Sequence, residues 1–98
     1  MTNLKTINVH DFRSGIGKVM REIRDDKGVT QKEMGELLRC GQTCISTLEL
    51  GQRPMRVDFI KEFADANHMT LSEFFKKVEK LLLDEENDIA SGHQYYQD

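Results

Sequence analysis

The chain contains no tryptophan, one proline and only two cysteines in 98 residues. A single proline and seven glycines are too few for the many turns of a β-sandwich, and far too few for a collagen-like or disordered chain. The two thiols, Cys40 and Cys44, have no others to pair with. A bridge between residues so close in the chain would be a poor staple, so reduced thiols in a cytosolic protein are expected. Long apolar runs are missing as well. Leu81-Leu82-Leu83 is the longest wholly apolar stretch, and no membrane span is expected. Residues 1–13 scatter isolated apolar side chains among Lys5, Asn8, His10 and Asp11, with no apolar stretch after a basic start. A signal peptide is therefore not expected, and the sequence reads as cytoplasmic.

An excess of basic residues is also lacking, since the formal net charge is −3. Its distribution matters more than its sum. Residues 71–98 set Lys76, Lys77 and Lys80 against Glu73, Glu79, Asp84, Glu85, Glu86, Asp88 and Asp98, whereas residues 14–70 balance nine basic against nine acidic side chains. The acid is concentrated at the C-terminal end. Any attraction for a polyanion must come from local geometry in the middle of the chain rather than from total charge.

What is present is apolar spacing of helical period almost throughout, with no alternating stretch long enough for a strand. A first helix is predicted over about Ser14 to Lys27, with Ile16, Met20 and Ile23 on one face. It should end at Gly28, a left-handed residue followed by the apolar contact of Val29. Thr30-Gln31-Lys32-Glu33 is a capping box that opens a second helix, whose inner side is read as Met34, Leu37 and Leu38. A third follows Gly41 and turns Ile45 and Leu48 inward. Pro54 keeps the preceding residue out of helical geometry and marks a loop. A fourth helix is predicted from about Val57 to Ala66, burying Val57, Ile60, Phe63 and Ala64. Thr70-Leu71-Ser72-Glu73 is a second capping box, opening a last helix with the stripe Leu71, Phe74, Phe75, Val78, Leu81 and Leu82. From Glu85 to Asp98 no periodicity is sustained.

The stretch Thr30 to Gly51, TQKEMGELLRCGQTCISTLELG, resembles the helix-turn-helix of the Cro and phage-repressor (XRE) family of DNA-binding proteins. The likeness runs from about Ile16 to Phe75. Its physical content lies in the residues: Gly35 stands where two steeply crossing helices bring their backbones together, with Met34, Leu38, Cys40, Ile45 and Leu48 on the facing sides. Several independent positional requirements are met at once, a more specific signal than one short motif. The chain departs from the family in having Arg39 where glycine is usual in the turn, Gly41 where Ser or Thr usually caps the third helix, and His68 where glycine is usual before the last one. The resemblance implies an all-α, five-helix, lambda-repressor-like fold; with the chain's own charge and apolar pattern, the domain is read at 14–83 with an extended last helix, an N-terminal arm at 1–13 and an acidic tail at 84–98.

By the same resemblance, Gln42, Thr43, Ser46 and Thr47 on the third helix would face the major groove and contact bases. Without a partner they would be a solvated polar face. Thr30 and Gln31 at the start of the second helix, and Gln52, Arg53 and Arg56 in the loop, would contact phosphates; their bland reading is a capping box and a soluble loop. Glu49 would pair with Arg24 and aim it towards the DNA backbone. Val78, Leu81 and Leu82, beyond the usual end of the family core, are candidates for a dimer interface unless Leu4, Ile7, Val9 and Phe12 cover them. The function these readings imply is a regulator, and a repressor in particular, acting as a homodimer on double-stranded DNA with A·T-containing half-sites. The alternative is an antitoxin whose tail, with Ile89, Tyr95 and Tyr96, binds a protein partner. No enzyme activity, cofactor or metal is expected: His10, His68 and His93 stand singly, and Ser14-Gly15-Ile16-Gly17-Lys18 lacks the spacing of a phosphate loop.

Overall fold

The computed structural model describes residues 7–96, with side chains as far as Asp84. The helices are α1 (Val9–Asp26), α2 (Gln31–Leu37), α3 (Gln42–Glu49), α4 (Val57–Ala66) and α5 (Leu71–Tyr96), with no strand among the described residues. The all-α expectation holds. Both capping boxes form: Thr30 Oγ1 accepts from the Glu33 N–H while Glu33 accepts from the Thr30 N–H, and Thr70 and Glu73 repeat the exchange. Each box satisfies two of the donors that a helix start leaves without partners. Gly28 is left-handed, and the Val29 N–H reaches back to the Arg24 carbonyl. Arg39 and His68 are left-handed too, both at φ 59°. At Arg39 that conformation costs roughly 1 kcal/mol, which the surrounding packing must offset.

The core is one cluster. Ile16, Val19, Met20 and Ile23 of α1 meet Met34, Ile45, Ile60, Phe63, Ala64, Phe74, Val78 and Leu82. Phe63 and Phe74 pack edge to face with ring centroids 5.9 Å apart, joining α4 to α5. Burying one such ring stabilises the fold by about 1.5–3 kcal/mol. At the crossing of α2 and α3, a Cβ added to Gly35 would lie 2.4 Å from the Gly41 carbonyl carbon. Only a residue without a side chain lets these two helices meet so closely, which sets the angle at which α3 is presented.

Several expectations are corrected. α1 begins at Val9, not Ser14: Asn8 caps it by accepting from the Asp11 N–H at 2.8 Å. Residues 9–13, read as part of an arm, are thus the first turns of a helix. Val78 and Leu82 are 0% and 4% exposed within the single chain. Leu82 lies against Gly15, so α1 covers the stripe proposed as a dimer interface, and only Leu81 stays half-buried. Leu37 and Val57, expected inside, are 59% and 68% exposed. Each stands at an end of its helix, where α2 is too short and α4 too newly begun for a neighbour to cover it. α5 runs to Tyr96, through the segment read as an aperiodic tail. The candidate partner residues Ile89, Tyr95 and Tyr96 lie outside the described side chains, as does Leu4 outside the described residues. Among the described residues no helix is long and apolar enough to cross a membrane.

Candidate nucleic-acid interface

α3 turns Ile45 and Leu48 into the core and leaves Gln42 and Thr43 exposed, with Ser46 and Thr47 half-buried beside them. Of the four residues expected on the exposed face, two are exposed and two are partly covered. Gly41 gives α3 no side-chain cap, so its first N–H groups are not bonded by a capping side chain. The Thr47 hydroxyl turns back onto its own helix and donates to the Thr43 and Cys44 carbonyls at 3.1 and 3.0 Å. That bond competes with use of the hydroxyl as a donor to a base, whereas the methyl takes no part in it.

The only carboxylate on α3 is consumed inside the protein. Glu49 Oε2 accepts from Arg24 Nε at 2.7 Å, and Oε1 accepts from Arg24 Nη2 at 3.1 Å. The Arg24 side chain is 10% exposed and that of Glu49 3%, so this is a buried, bidentate pair. Hydrogen bonding to Glu49 raises the Arg24 pKa above its ordinary value, against the opposing effect of burial. The third guanidinium nitrogen donates to the Val29 carbonyl at 2.8 Å and lies 3.3 Å from Asp25. The predicted pair is present, but the expectation that Arg24 is aimed at DNA is not met. Its donors are committed within the fold, where they tie α1 and the α1–α2 turn to α3.

Glu49 also explains Gln31. The Gln31 Nε2 donates to Glu49 Oε1 at 3.0 Å, so one of its two amide protons points inward rather than to a phosphate. Gln31 is half-buried and held in one orientation by that bond. Thr30 accepts from the Glu33 N–H, and its hydroxyl also faces the Glu33 carboxylate. Capping also lowers the Glu33 pKa through its bonds with the Thr30 backbone and hydroxyl.

The loop between α3 and α4 holds Gln52, Arg53 and Arg56, all exposed. Arg56 grips Asp58 through Nε and Nη2 at 3.2 and 3.3 Å, and this bond holds the Asp58 carboxyl below its ordinary range. Part of its charge is thereby neutralised before any DNA arrives. Arg53 does something the sequence did not suggest: its Nη2 donates to the Cys44 sulfur at 3.0 Å. A second unforeseen contact closes the far side of the domain, where Lys27 Nζ donates to the Asn67 carbonyl at 2.9 Å. Neither leaves a local signal, because each joins residues set close only by the packing of helices. Among the described residues no group of His, Cys, Asp and Glu could hold a metal ion.

Comparison with known proteins agrees with this geometry. Residues 16–73 match the family model described as a helix-turn-helix domain. Two solved structures of the clp gene regulator ClgR from Corynebacterium glutamicum are similar. One is 22% identical with a TM-score of 0.74, over 87% of this chain and 93% of that one. The other is 25% identical with a TM-score of 0.65, over 68% of this chain and 86% of that one. A search of curated proteins finds no match.

Proposed function

This chain belongs to the helix-turn-helix family, and from that premise we propose that it is a sequence-specific transcriptional regulator that represses by binding a two-fold operator as a dimer. One observation carries the reading: the outer face of α3 offers Gln42 and Thr43 with no opposing charge, because its only acid, Glu49, is neutralised internally by Arg24. A carboxylate free on that helix would repel phosphates. Buried, it instead stiffens the element that enters the groove. The similarity to a structure described as a gene regulator supports the same reading.

Glutamine can pair bidentately with adenine N6 and N7, and a threonine methyl can pack on the thymine methyl. α3 has neither arginine nor lysine, the usual readers of guanine, so A·T pairs are expected under its first turn. Half-sites should recur about one DNA turn apart, roughly 34–36 Å, which calls for a two-fold dimer. With Val78 and Leu82 enclosed in the protomer, the apolar positions left for it include Val9 and Phe12 of α1 and Leu81 of α5. Sedimentation of the free and DNA-bound protein reads the stoichiometry. Selection of bound sequences from a random DNA pool, followed by titration on single-substituted sites, tests the readout. Gln42→Ala should lose ~1–3 kcal/mol on the preferred site and relax choice at one base pair. An equal loss on every sequence would show that α3 does not read bases.

A further inference from the structure

Cys44 sits in the first turn of α3, one turn before Thr47, and is half-buried. Its sulfur accepts from the Arg53 guanidinium at 3.0 Å. A second thiol, Cys40, stands beside it across the helix start and lies towards the Gly41 carbonyl, 3.8 Å away. Two thiols and a guanidinium therefore meet at the edge of the proposed DNA-facing surface. We propose that Cys44 is a thiol-modification site that weakens DNA binding when it forms a mixed disulfide with a low-molecular-weight disulfide. This inference rests on the regulator reading above.

The chemistry is thiol–disulfide exchange. The Cys44 thiol gives its proton to solvent, and the resulting thiolate attacks one sulfur of the small disulfide. A new S–S bond joins Cys44 to half of that molecule; the other half leaves as a thiolate and takes up a proton. One protein thiol and one small disulfide become one mixed disulfide and one small thiol. The Arg53 guanidinium, in contact with this sulfur, sets a positive charge beside the atom that makes the new bond. The two cysteines differ in their fitness for this step. Burial first, then the adjoining Cys44 thiol, pushes the Cys40 pKa up to about 12, with Glu62 adding to the effect and Arg53 opposing it. Burial thus works against attack by Cys40, whereas the guanidinium contact is made to Cys44.

Two consequences follow for DNA. The adduct stands on the helix face next to Thr47, and it displaces the sulfur contact that now positions Arg53 in the loop. The test treats the full-length reduced protein with glutathione disulfide and maps the adduct by peptide mass. One adduct on Cys44 is expected, retained in Cys40→Ser and lost in Cys44→Ser. Operator affinity should fall roughly tenfold or more on modification and return with dithiothreitol, while the affinity of Cys44→Ser, whatever its starting value, should not change with the oxidant. Arg53→Ala should form the adduct several-fold more slowly. An adduct on Cys40, an intrachain disulfide, an equal rate in Arg53→Ala, or unchanged affinity after modification would each overturn the proposal. Failure of the reduced wild-type protein to select any DNA would sink the regulator reading instead, and the mapped adduct tells the two failures apart.

Discussion

Gly17 passes so close to Glu49 that a Cβ on the glycine would sit 2.4 Å from the Glu49 carbonyl oxygen. α1 and the end of α3 touch backbone to backbone there, and the Leu48 carbonyl oxygen is as near, at 2.5 Å. Gly17 lies inside α1, where glycine is about 1 kcal/mol less favourable than alanine. Close approach outweighs that cost. Gly17→Ala should therefore destabilise the protein by ~1–3 kcal/mol in urea unfolding, despite its gain in helix propensity. A stabilised Gly17→Ala would mean that the two helices can part freely.

The same junction holds the Arg24–Glu49 pair. Removing one member of a buried pair leaves the other charged and without its partner, a loss of ~3–5 kcal/mol. Glu49→Ala belongs near the lower bound, because Arg24 keeps the Val29 carbonyl and its proximity to Asp25. Gln31 would lose its anchor in the same variant, so DNA affinity should fall as well. Adding salt should not restore the wild-type difference, since the pair is screened by protein rather than by ions. Equilibrium unfolding at low and high salt decides it; a loss that vanishes in salt would make the pair a surface one.

Acid should weaken the two capping boxes. Hydrogen bonds from the Thr30 and Thr70 backbones hold the Glu33 and Glu73 pKa values below the ordinary 4.5. A carboxylate whose folded value is depressed stabilises fully above its unfolded value, and that contribution is lost as pH falls through the folded one. Glutamine at both positions can still accept from the backbone but does not titrate. Between about pH 6 and pH 3, the wild type should lose more in Tm than Glu33→Gln with Glu73→Gln. Parallel curves would count against the linkage.

Arg53 and Arg56 should behave differently in salt titrations of DNA binding. Loss of a phosphate contact makes the slope of log K against log salt shallower by roughly 0.9. Arg53→Ala should show this on every sequence alike. Asp58→Asn, by contrast, frees Arg56 from its bidentate partner. Binding should then tighten and the slope steepen. If Asp58→Asn leaves both unchanged, Arg56 is not near a phosphate.

Much of the scaffold is decided within one or two turns of chain, and there the sequence alone suffices. Thr30 finds Glu33 and Thr70 finds Glu73 because both partners are three residues apart, whatever the rest of the protein does. The left-handed turn at Gly28 and the inward set of Ile45 and Leu48 follow from glycine's freedom and from helical period. Asn8, three residues before Asp11, is a local cap signal of the same kind, followed by a segment that Gly15 and Gly17 interrupt. Other features depend on distances between elements, which periodicity does not contain. The apolar stripe of α5 was legible, but that α1 rather than a second subunit covers Val78 and Leu82 was decided by the packing of α1 on α5, where Gly15 has no side chain to hold Leu82 off. Leu37 and Val57 have the right spacing for burial and no neighbour to meet it. Glu49 could be matched to Arg24 by resemblance, yet its second hold on Gln31 and the reach of Arg53 to Cys44 arise only when α2, α3 and the following loop pack together. Local hydrogen bonds and period wrote the helices into the sequence. Backbone approach and side-chain reach, summed over the whole core, decided which polar groups were left facing outward.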